Sequence, residues 1–167
     1  PVGRINADLT STADLTRARR LLANAGTSFL GSCKGGPFDI TRDQASEFLR
    51  MPTNPNGRPN SDVVKPYVNG MDLMRQSRDA WIIDFYGLSE REASLYEGPF
   101  EYVRARVYPV RAENRDKWLR EHPWLPQRGR PEMRTAIAPL RRYMATPATA
   151  KHRLFAWVPS EVLSDHA

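Results

Sequence analysis

NPNGRPNSDVVKPYVNGMDLMRQSRDAWIIDF, residues 54–85, begins as a polar loop rich in Asn and Arg and ends as a hydrophobic strand. Asn-Gly is a strong hairpin signal, so residues 69–70 predict a short turn, with strands over residues 70–74 and 80–85. A second stretch, RRYMATPATAKHRLFAWVP at residues 141–159, predicts a basic strand, a loop and another hydrophobic strand. Both stretches place amide and cationic side chains beside strand backbone, and such groups hydrogen-bond phosphates and the edges of bases.

Helix signals are distributed over the rest of the chain. Two capping boxes, and two prolines suited to a first helical turn, predict four helix starts: Thr41 with Gln44, Ser89 with Glu92, Pro99 and Pro131. The helix that begins near Pro99 places Phe100, Val103 and Val107 on one face, which we expect to be buried. Pro109 should end or kink this helix, and residues 111–121 should continue as helix.

The mixture of predicted elements indicates the fold class. Further strands are expected at residues 28–30, 141–145 and 153–158, and a further helix over residues 12–24. The strands and helices lack the regular alternation of a parallel α/β fold. We therefore predict an α+β (irregular α/β) fold, a single domain with short mixed strands and several helices. A chain of 167 residues is long enough for one such domain.

The positive charge of the chain is concentrated in one segment. The formal net charge is +6. Residues 1–99 hold 12 Lys/Arg and 12 Asp/Glu, whereas residues 100–153 hold 13 and 5. An excess of +8 in the second segment is expected for a protein that binds a polyanion. A solvated basic surface without a partner is the alternative.

From about residue 4 to its C-terminus the chain resembles one family. Six uncommon strings occur in the family's order: INADL, GPFDI, GRPNSDVVKPYVNGMDL, WIIDF, PFEYVR and AKHRLFAWV. They are similar to the target-recognition region of large class I adenine-specific DNA methyltransferases, including the MmeI-like fused restriction–modification enzymes of type II. The resemblance implies that residues 1–11 are a tether from a preceding methyltransferase domain. It also implies that residues 12–167 are a DNA target-recognition domain, truncated at its C-terminus.

The function that the resemblance implies is divided between this chain and a parent enzyme. The parent transfers a methyl group from S-adenosylmethionine to adenine, and this chain reads double-stranded DNA for it. The chain itself is expected to be non-catalytic, because the nearest match to the Asn-Pro-Pro-aromatic motif, residues 54–57, lacks the second proline and the aromatic. It has no glycine-rich strand-to-helix loop, so we expect no cofactor here. A basic protein-interaction domain that docks the methylase onto a partner subunit is the alternative.

Lys151, His152 and Arg153 are the first candidates for contact with bases. They follow a loop of small residues, 146–150, that could approach a groove closely, and they precede the apolar alternation of residues 154–158. Arg offers a planar fork that matches the O6/N7 edge of guanine, and Lys reaches the same acceptors. The family places a similar segment at this point, which favours a role in specificity over an ordinary charged strand entry.

Seven further side chains are candidates for DNA contact: Arg104, Arg111, Arg115, Arg141, Arg142, Arg58 and Asn60. The first three are spaced by seven and four residues, which predicts one basic helix face suited to phosphates. Arg141 and Arg142 are expected at a helix end, where one of them points inward or serves the cap and the other contacts a phosphate. The last two belong to a polar loop, although Asn is also a common turn residue.

Composition argues against several other kinds of site. The single Cys33 excludes an internal disulfide and a cysteine-based zinc site, and three widely spaced histidines lead us to expect no metal. No apolar run is long enough to span a bilayer and no secretory leader is seen. Asp72 and Asp84 lack the Glu-x-Lys string of a nuclease, and we expect Asp72 to pair with Arg75 or Arg78. The resemblance implies a bacterial cytoplasmic location.

Overall fold

The computed structural model of the protein describes residues 19, 21–75, 77–151 and 154–165. The predicted tether over residues 1–11 lies outside the described residues, as does most of the predicted helix over residues 12–24. At the end of that predicted helix the chain forms a short 3-10 helix, Leu22–Asn24. The boundary between tether and domain therefore stays a prediction.

Six strands in the described part of the chain form two separate sheets. They are β1 Asp39–Ile40, β2 Val64–Asn69, β3 Trp81–Ile83, β4 Arg142–Ala145, β5 Ala156–Pro159 and β6 Leu163–Asp165. The larger sheet has the order β1-β3-β2-β6, in which β3 pairs antiparallel with β1 and β2, and β6 pairs parallel with β2. β4 and β5 form an antiparallel two-stranded ribbon at the predicted basic strand.

Seven α-helices are described: α1 Arg42–Arg50, α2 Gly70–Met74, α3 Glu90–Ser94, α4 Glu97–Arg106, α5 Tyr108–Ala112, α6 Lys117–Glu121 and α7 Pro131–Ile137. Both predicted capping boxes are confirmed, because the side-chain oxygens of Thr41 and Ser89 accept a hydrogen bond from the backbone N–H three residues on. α7 begins at Pro131, as predicted. Pro109 lies in the first turn of α5 and separates it from α4, which confirms the predicted break.

One hydrophobic core joins the larger sheet to α4. The three residues predicted to be buried on this helix, Phe100, Val103 and Val107, are buried in the structure. The Phe100 ring packs against the ring of Phe85, just after β3, with centroids 6.1 Å apart. Full burial of one such side chain contributes about 1.5–3 kcal/mol, so this packing fixes α4 against the sheet. The basic segment of the sequence begins at α4.

Residues 69–70 form a helix start, so the predicted hairpin turn is wrong, and residues 70–74 are helix α2 instead of a strand. The Asn69 side-chain oxygen accepts hydrogen bonds from the N–H groups of Met71 and Asp72. The Asp72 carboxylate in turn accepts one from the Asn69 N–H. Asn suits both turns and helix caps, and the carboxylate three residues later favours the cap. The strand in this region is β2, which ends at Asn69.

Two further predictions about individual elements are wrong, and two strands were not predicted. Residues 28–30 are not in a strand, and β1 and β6 are strands that the sequence patterns do not predict. Residues 111–121 are interrupted between α5 and α6, because the Asp116 side chain accepts a hydrogen bond from the Trp118 N–H and caps a new helix. The short mixed strands and separate helices nevertheless confirm the predicted α+β class.

Candidate nucleic-acid interface

The ribbon of β4 and β5 presents one inward and one outward face. Met144 lies opposite Trp157, and Tyr143 lies opposite Val158. Because side chains alternate along a strand, Arg142, Met144 and Trp157 share one face, which we call the outward face. These three are exposed, whereas Val158 is buried and Tyr143 is half-buried. The inward side chains therefore anchor the ribbon to the domain, and the outward side chains are presented to solvent.

The two adjacent arginines at the start of the ribbon are both exposed. The central carbon of the Arg142 guanidinium lies 4.2 Å from the centroid of the Trp157 ring, so the two groups stack. The Arg141 carbonyl accepts a hydrogen bond from the Ser160 N–H at 3.1 Å. α7 ends at Ile137, so the prediction that one arginine points inward or serves a helix cap is wrong. Both side chains remain accessible to DNA.

The loop between β4 and β5 is anchored at its start. Pro147 is fully buried, and a Cβ placed on Gly70 at the start of α2 would lie 3.2 Å from the Pro147 Cβ. Lys151 is exposed, as a base contact requires. His152 and Arg153, the other two candidates, lie outside the described residues. The structure thus places Lys151 on an anchored loop, at the end of the ribbon opposite the two adjacent arginines.

Arg111 is buried, and its predicted place on an exposed basic helix face is wrong. Its guanidinium donates hydrogen bonds to the carbonyls of Lys34, His122 and Leu125, at 2.7, 2.9 and 2.5 Å. It also lies 4.9 Å from the centroid of the Phe38 ring. Burial lowers the pKa of Arg111 to about 10, which leaves the group charged at neutral pH. Arg111 therefore ties two distant segments to α5 and does not reach a phosphate.

The other two arginines of the predicted basic face are exposed. Arg104 pairs with Glu101 on the same helix at 2.8 Å. Arg115 lies in the break between α5 and α6, where its carbonyl accepts a hydrogen bond from the Arg120 side chain at 3.1 Å. An exposed ion pair contributes little free energy, so the pairing with Glu101 does not prevent contact with a phosphate. The two arginines do not, however, share one continuous helix face.

The polar loop before β2 contains one exposed and one buried candidate. Arg58 is exposed and pairs with Asp62 at 2.5 Å. Asn60 is buried, where its amide donates to the Phe48 carbonyl at 2.9 Å and its oxygen accepts from the Asn54 side chain at 2.9 Å. Asn60 therefore holds the shape of the loop, and the prediction that it contacts DNA is wrong. A role for Arg58 stays a prediction.

The buried acidic side chains are engaged in structural pairs. Asp72 accepts two hydrogen bonds from the Arg78 guanidinium, at 2.8 and 2.9 Å, which confirms one of the two predicted partners. These bonds hold the pKa of Asp72 below its usual value. Asp84 pairs with Arg134 at 2.7 Å, and the Arg134 guanidinium lies over the Tyr86 ring. Neither acid is free to serve a nuclease centre.

The part of the chain that the structure describes shows neither a metal site nor a membrane-spanning helix. No group of three His, Cys, Asp or Glu side chains there could hold a metal ion. No helix there is long and apolar enough to cross a membrane. The expectations that the chain binds no metal and no cofactor stay predictions.

Trp157 is a candidate that reasoning from the sequence missed. Residues 154–158 predict a strand that anchors the loop, and no separate role follows for the aromatic side chain. The alternation of the same residues contains the signal, because Trp157 and Val158 must lie on opposite faces of β5. Burial of Val158 therefore exposes Trp157, and Phe155 beside it is also exposed. The interface thus combines cationic and aromatic side chains.

A solved structure is similar along almost the whole chain. It is the structure of the Type IIL restriction-modification enzyme MmeI in complex with DNA, with a TM-score of 0.62 and 15% sequence identity over 98% of this chain. The chain spans 21% of the length of that protein chain. No family model and no curated protein matches the sequence. The chain therefore shares its fold with one region of a restriction-modification enzyme.

Proposed function

We propose that the chain is a DNA target-recognition domain of an adenine-specific DNA methyltransferase in a restriction–modification system. The similarity of 98% of the chain to part of an enzyme solved with DNA carries the proposal. The excess of positive charge over residues 100–153 and the exposed cations on the ribbon favour double-stranded DNA as the partner. The domain docks on the duplex and reads its bases for a methyltransferase domain of the same polypeptide.

Cations at different places have different roles in this proposal. Lys151 and Arg153 contact base edges, with His152 between them, because a loop anchored at Pro147 can hold side chains with the accuracy that base reading requires. Exposed arginines on or beside helices, Arg104 and Arg115, contact phosphates, which demand charge more than fixed geometry. The remaining exposed candidates, Arg58, Arg141 and Arg142, add to the cationic surface.

Methyl transfer belongs to the parent enzyme in this proposal. S-adenosylmethionine binds to the methyltransferase domain, in the cytoplasm of a bacterium, and the isolated chain transfers no methyl group to DNA. The experiment is incubation of the chain with duplex DNA and labelled S-adenosylmethionine. We expect no incorporation above a no-protein control, and incorporation above that control would contradict the division of roles.

A second candidate function is docking onto a partner subunit. The observation that favours it is the exposed apolar surface of Met144, Phe155 and Trp157, which suits a protein interface as well as DNA. In that case the cations are solvated, and replacing any one exposed arginine has the same small effect on the salt dependence of DNA binding.

Salt dependence of DNA binding separates the two functions. We expect the chain to bind duplex DNA weakly at low salt. The logarithm of the association constant should fall by about 0.9 for each phosphate contact per tenfold increase in salt. Arg104→Gln and Arg115→Gln should each reduce that slope by about one contact. Arg91→Gln is the matched control, because Arg91 is exposed on α3 in the electrically neutral half of the sequence. Absence of binding at low salt would refute the proposal.

Sequence specificity is tested in the full-length methyltransferase. Arg153→Ala should weaken recognition of the cognate site by about 1–3 kcal/mol and relax the choice at one base position. Arg115→Ala should weaken binding to all sequences alike. Methylated sites are mapped by sequencing for both variants. An unchanged site and rate for Arg153→Ala would show that the loop cations do not read bases.

A further inference from the structure

The outward face of the ribbon is exposed. Residues of both ribbon faces line an open groove of about 570 Å3, together with residues of α7 and residues 26–29. Met144 and Trp157, opposed on the two strands, are 53% and 57% exposed. An exposed apolar surface of this kind, with a cation beside it, is typical of a binding surface.

Arg142 differs from the other arginines that stack on rings. Arg111 and Arg134 also lie over aromatic rings, but their guanidinium groups donate hydrogen bonds to backbone carbonyls and, for Arg134, to Asp84. Arg142 stacks on Trp157, and no acid among the described residues pairs with it. Stacking restrains the plane of the guanidinium, and the exposure of Arg142 leaves its N–H donors accessible to solvent. Such a group is prepared to bind a planar acceptor.

The ribbon has the size of an element that fits the major groove of DNA. Four residues in each strand, at about 3.3 Å each, give a ribbon about 13 Å long, with strands about 4.8 Å apart. The major groove of B-DNA is about 12 Å wide and admits a two-stranded ribbon. In the groove, an Arg fork matches the O6 and N7 atoms of guanine, and apolar side chains suit the methyl group of thymine.

We infer that Arg142, held by Trp157, reads a guanine in the major groove as a base contact separate from the Lys151–Arg153 loop. The inference rests on the proposed DNA-binding function. Arg142 and the end of β4 at Ala145 are three residues, or about 10 Å, apart. Lys151 lies in the loop that follows this end of β4, so we expect the two contacts to read different base pairs. Trp157 is a positioning residue, because it acts on the base through Arg142.

The experiment is selection of preferred sequences from a pool of random duplexes, with the whole chain as bait. The chain should enrich a guanine at one position. Arg142→Lys keeps the charge but loses the planar fork, so the preference for that guanine should fall about tenfold with an unchanged salt slope. Trp157→Leu keeps Arg142 intact and should relax the same position, which loss of charge alone would not explain. Both side chains are exposed, so both variants should fold.

Two controls identify the contact. Arg91→Lys is a matched change of an exposed arginine outside the ribbon, and it should leave the selected sequence unchanged. Replacing the selected guanine by 7-deazaguanine removes the N7 acceptor. This replacement should weaken binding of the original chain about tenfold and should have little effect on Arg142→Lys.

The outcomes separate this inference from the proposed function. Steep salt dependence together with a guanine preference that survives Arg142→Lys would overturn the inference and leave the proposed function intact. A pool without any preferred base would do the same. Absence of DNA binding at low salt would overturn both. Concentration-dependent self-association that Trp157→Leu abolishes, without any base preference, would assign the outward face to a second copy of the chain.

Discussion

Replacing Arg111 by Met removes a buried guanidinium and leaves a side chain of similar length. Three backbone carbonyls then lose their donors: those of Lys34, His122 and Leu125. An unsatisfied buried acceptor costs about 1–3 kcal/mol, so three of them cost about 3–9 kcal/mol. Removal of a buried charge offsets part of this loss, because burial opposes the charged form. We therefore expect the lower end, a loss of about 3 kcal/mol in the free energy of unfolding.

The assay is thermal unfolding at pH 7, followed by circular dichroism. For a domain of this size, a loss of about 3 kcal/mol lowers Tm by about 6–12 °C. Arg104→Met is the matched control, because Arg104 is exposed and makes one ion pair, with Glu101. Its effect should stay within about 0.5 kcal/mol. If the two variants unfold at the same temperature, the hydrogen bonds of Arg111 do not hold the fold and the reasoning fails.

Three further predictions concern separate parts of the molecule. Arg78 lowers the pKa of Asp72, so the ion pair stabilises the fold above the unfolded pKa of about 3.9, and this stabilisation is lost as the pH falls below that value. In urea unfolding, the free energy of unfolding should therefore fall more steeply with acid for the original chain than for Asp72→Asn. Gly70→Val forces a side chain against Pro147, and should cost about 1–3 kcal/mol and weaken the base preference of the loop. In Gly57→Val the added Cβ meets no atom within 4 Å but the residue is strained by a φ of +73°, so this variant should lose stability without a change in that preference. Asn60→Ala loses the hydrogen bonds to Phe48 and Asn54, so Tm should fall while the salt dependence of DNA binding stays unchanged. A smaller salt dependence in the folded variant would show that Asn60 contacts DNA.

Elements with local signals were predictable from the sequence. Both capping boxes and the break at Pro109 depend on residues within one turn of each other, and all are found where the patterns place them. β1 and β6 were not predictable, because strands of two and three residues carry too little alternation to detect. Their existence depends on partners distant in the sequence, such as Leu163 opposite Tyr67.

In the candidate site, too, features set by neighbouring residues were predictable, and features set by residues distant in the sequence were not. Arg111 follows Val103 and Val107 at intervals of four, which is the spacing of the buried face and could have indicated its burial. Its charge suggested exposure, and the carbonyls that accept its hydrogen bonds come from residues 34, 122 and 125. Burial of a charge therefore depended on acceptors that no local pattern identifies. Exposure of Trp157, in contrast, follows from local alternation once Val158 is known to be buried.

The parallel pairing of β2 with β6 has a consequence for synthesis of the chain. Tyr67 lies opposite Leu163, and its hydroxyl donates a hydrogen bond to Asp165 at 2.5 Å, so the partner of β2 is made nearly one hundred residues later. At translation rates of about 5–20 residues per second, β2 waits about 5–20 s for that partner. Throughout this interval residues 67–69 present an unpaired strand edge. The speed of the ribosome therefore sets how long the nascent domain is exposed to pairing with a neighbouring chain.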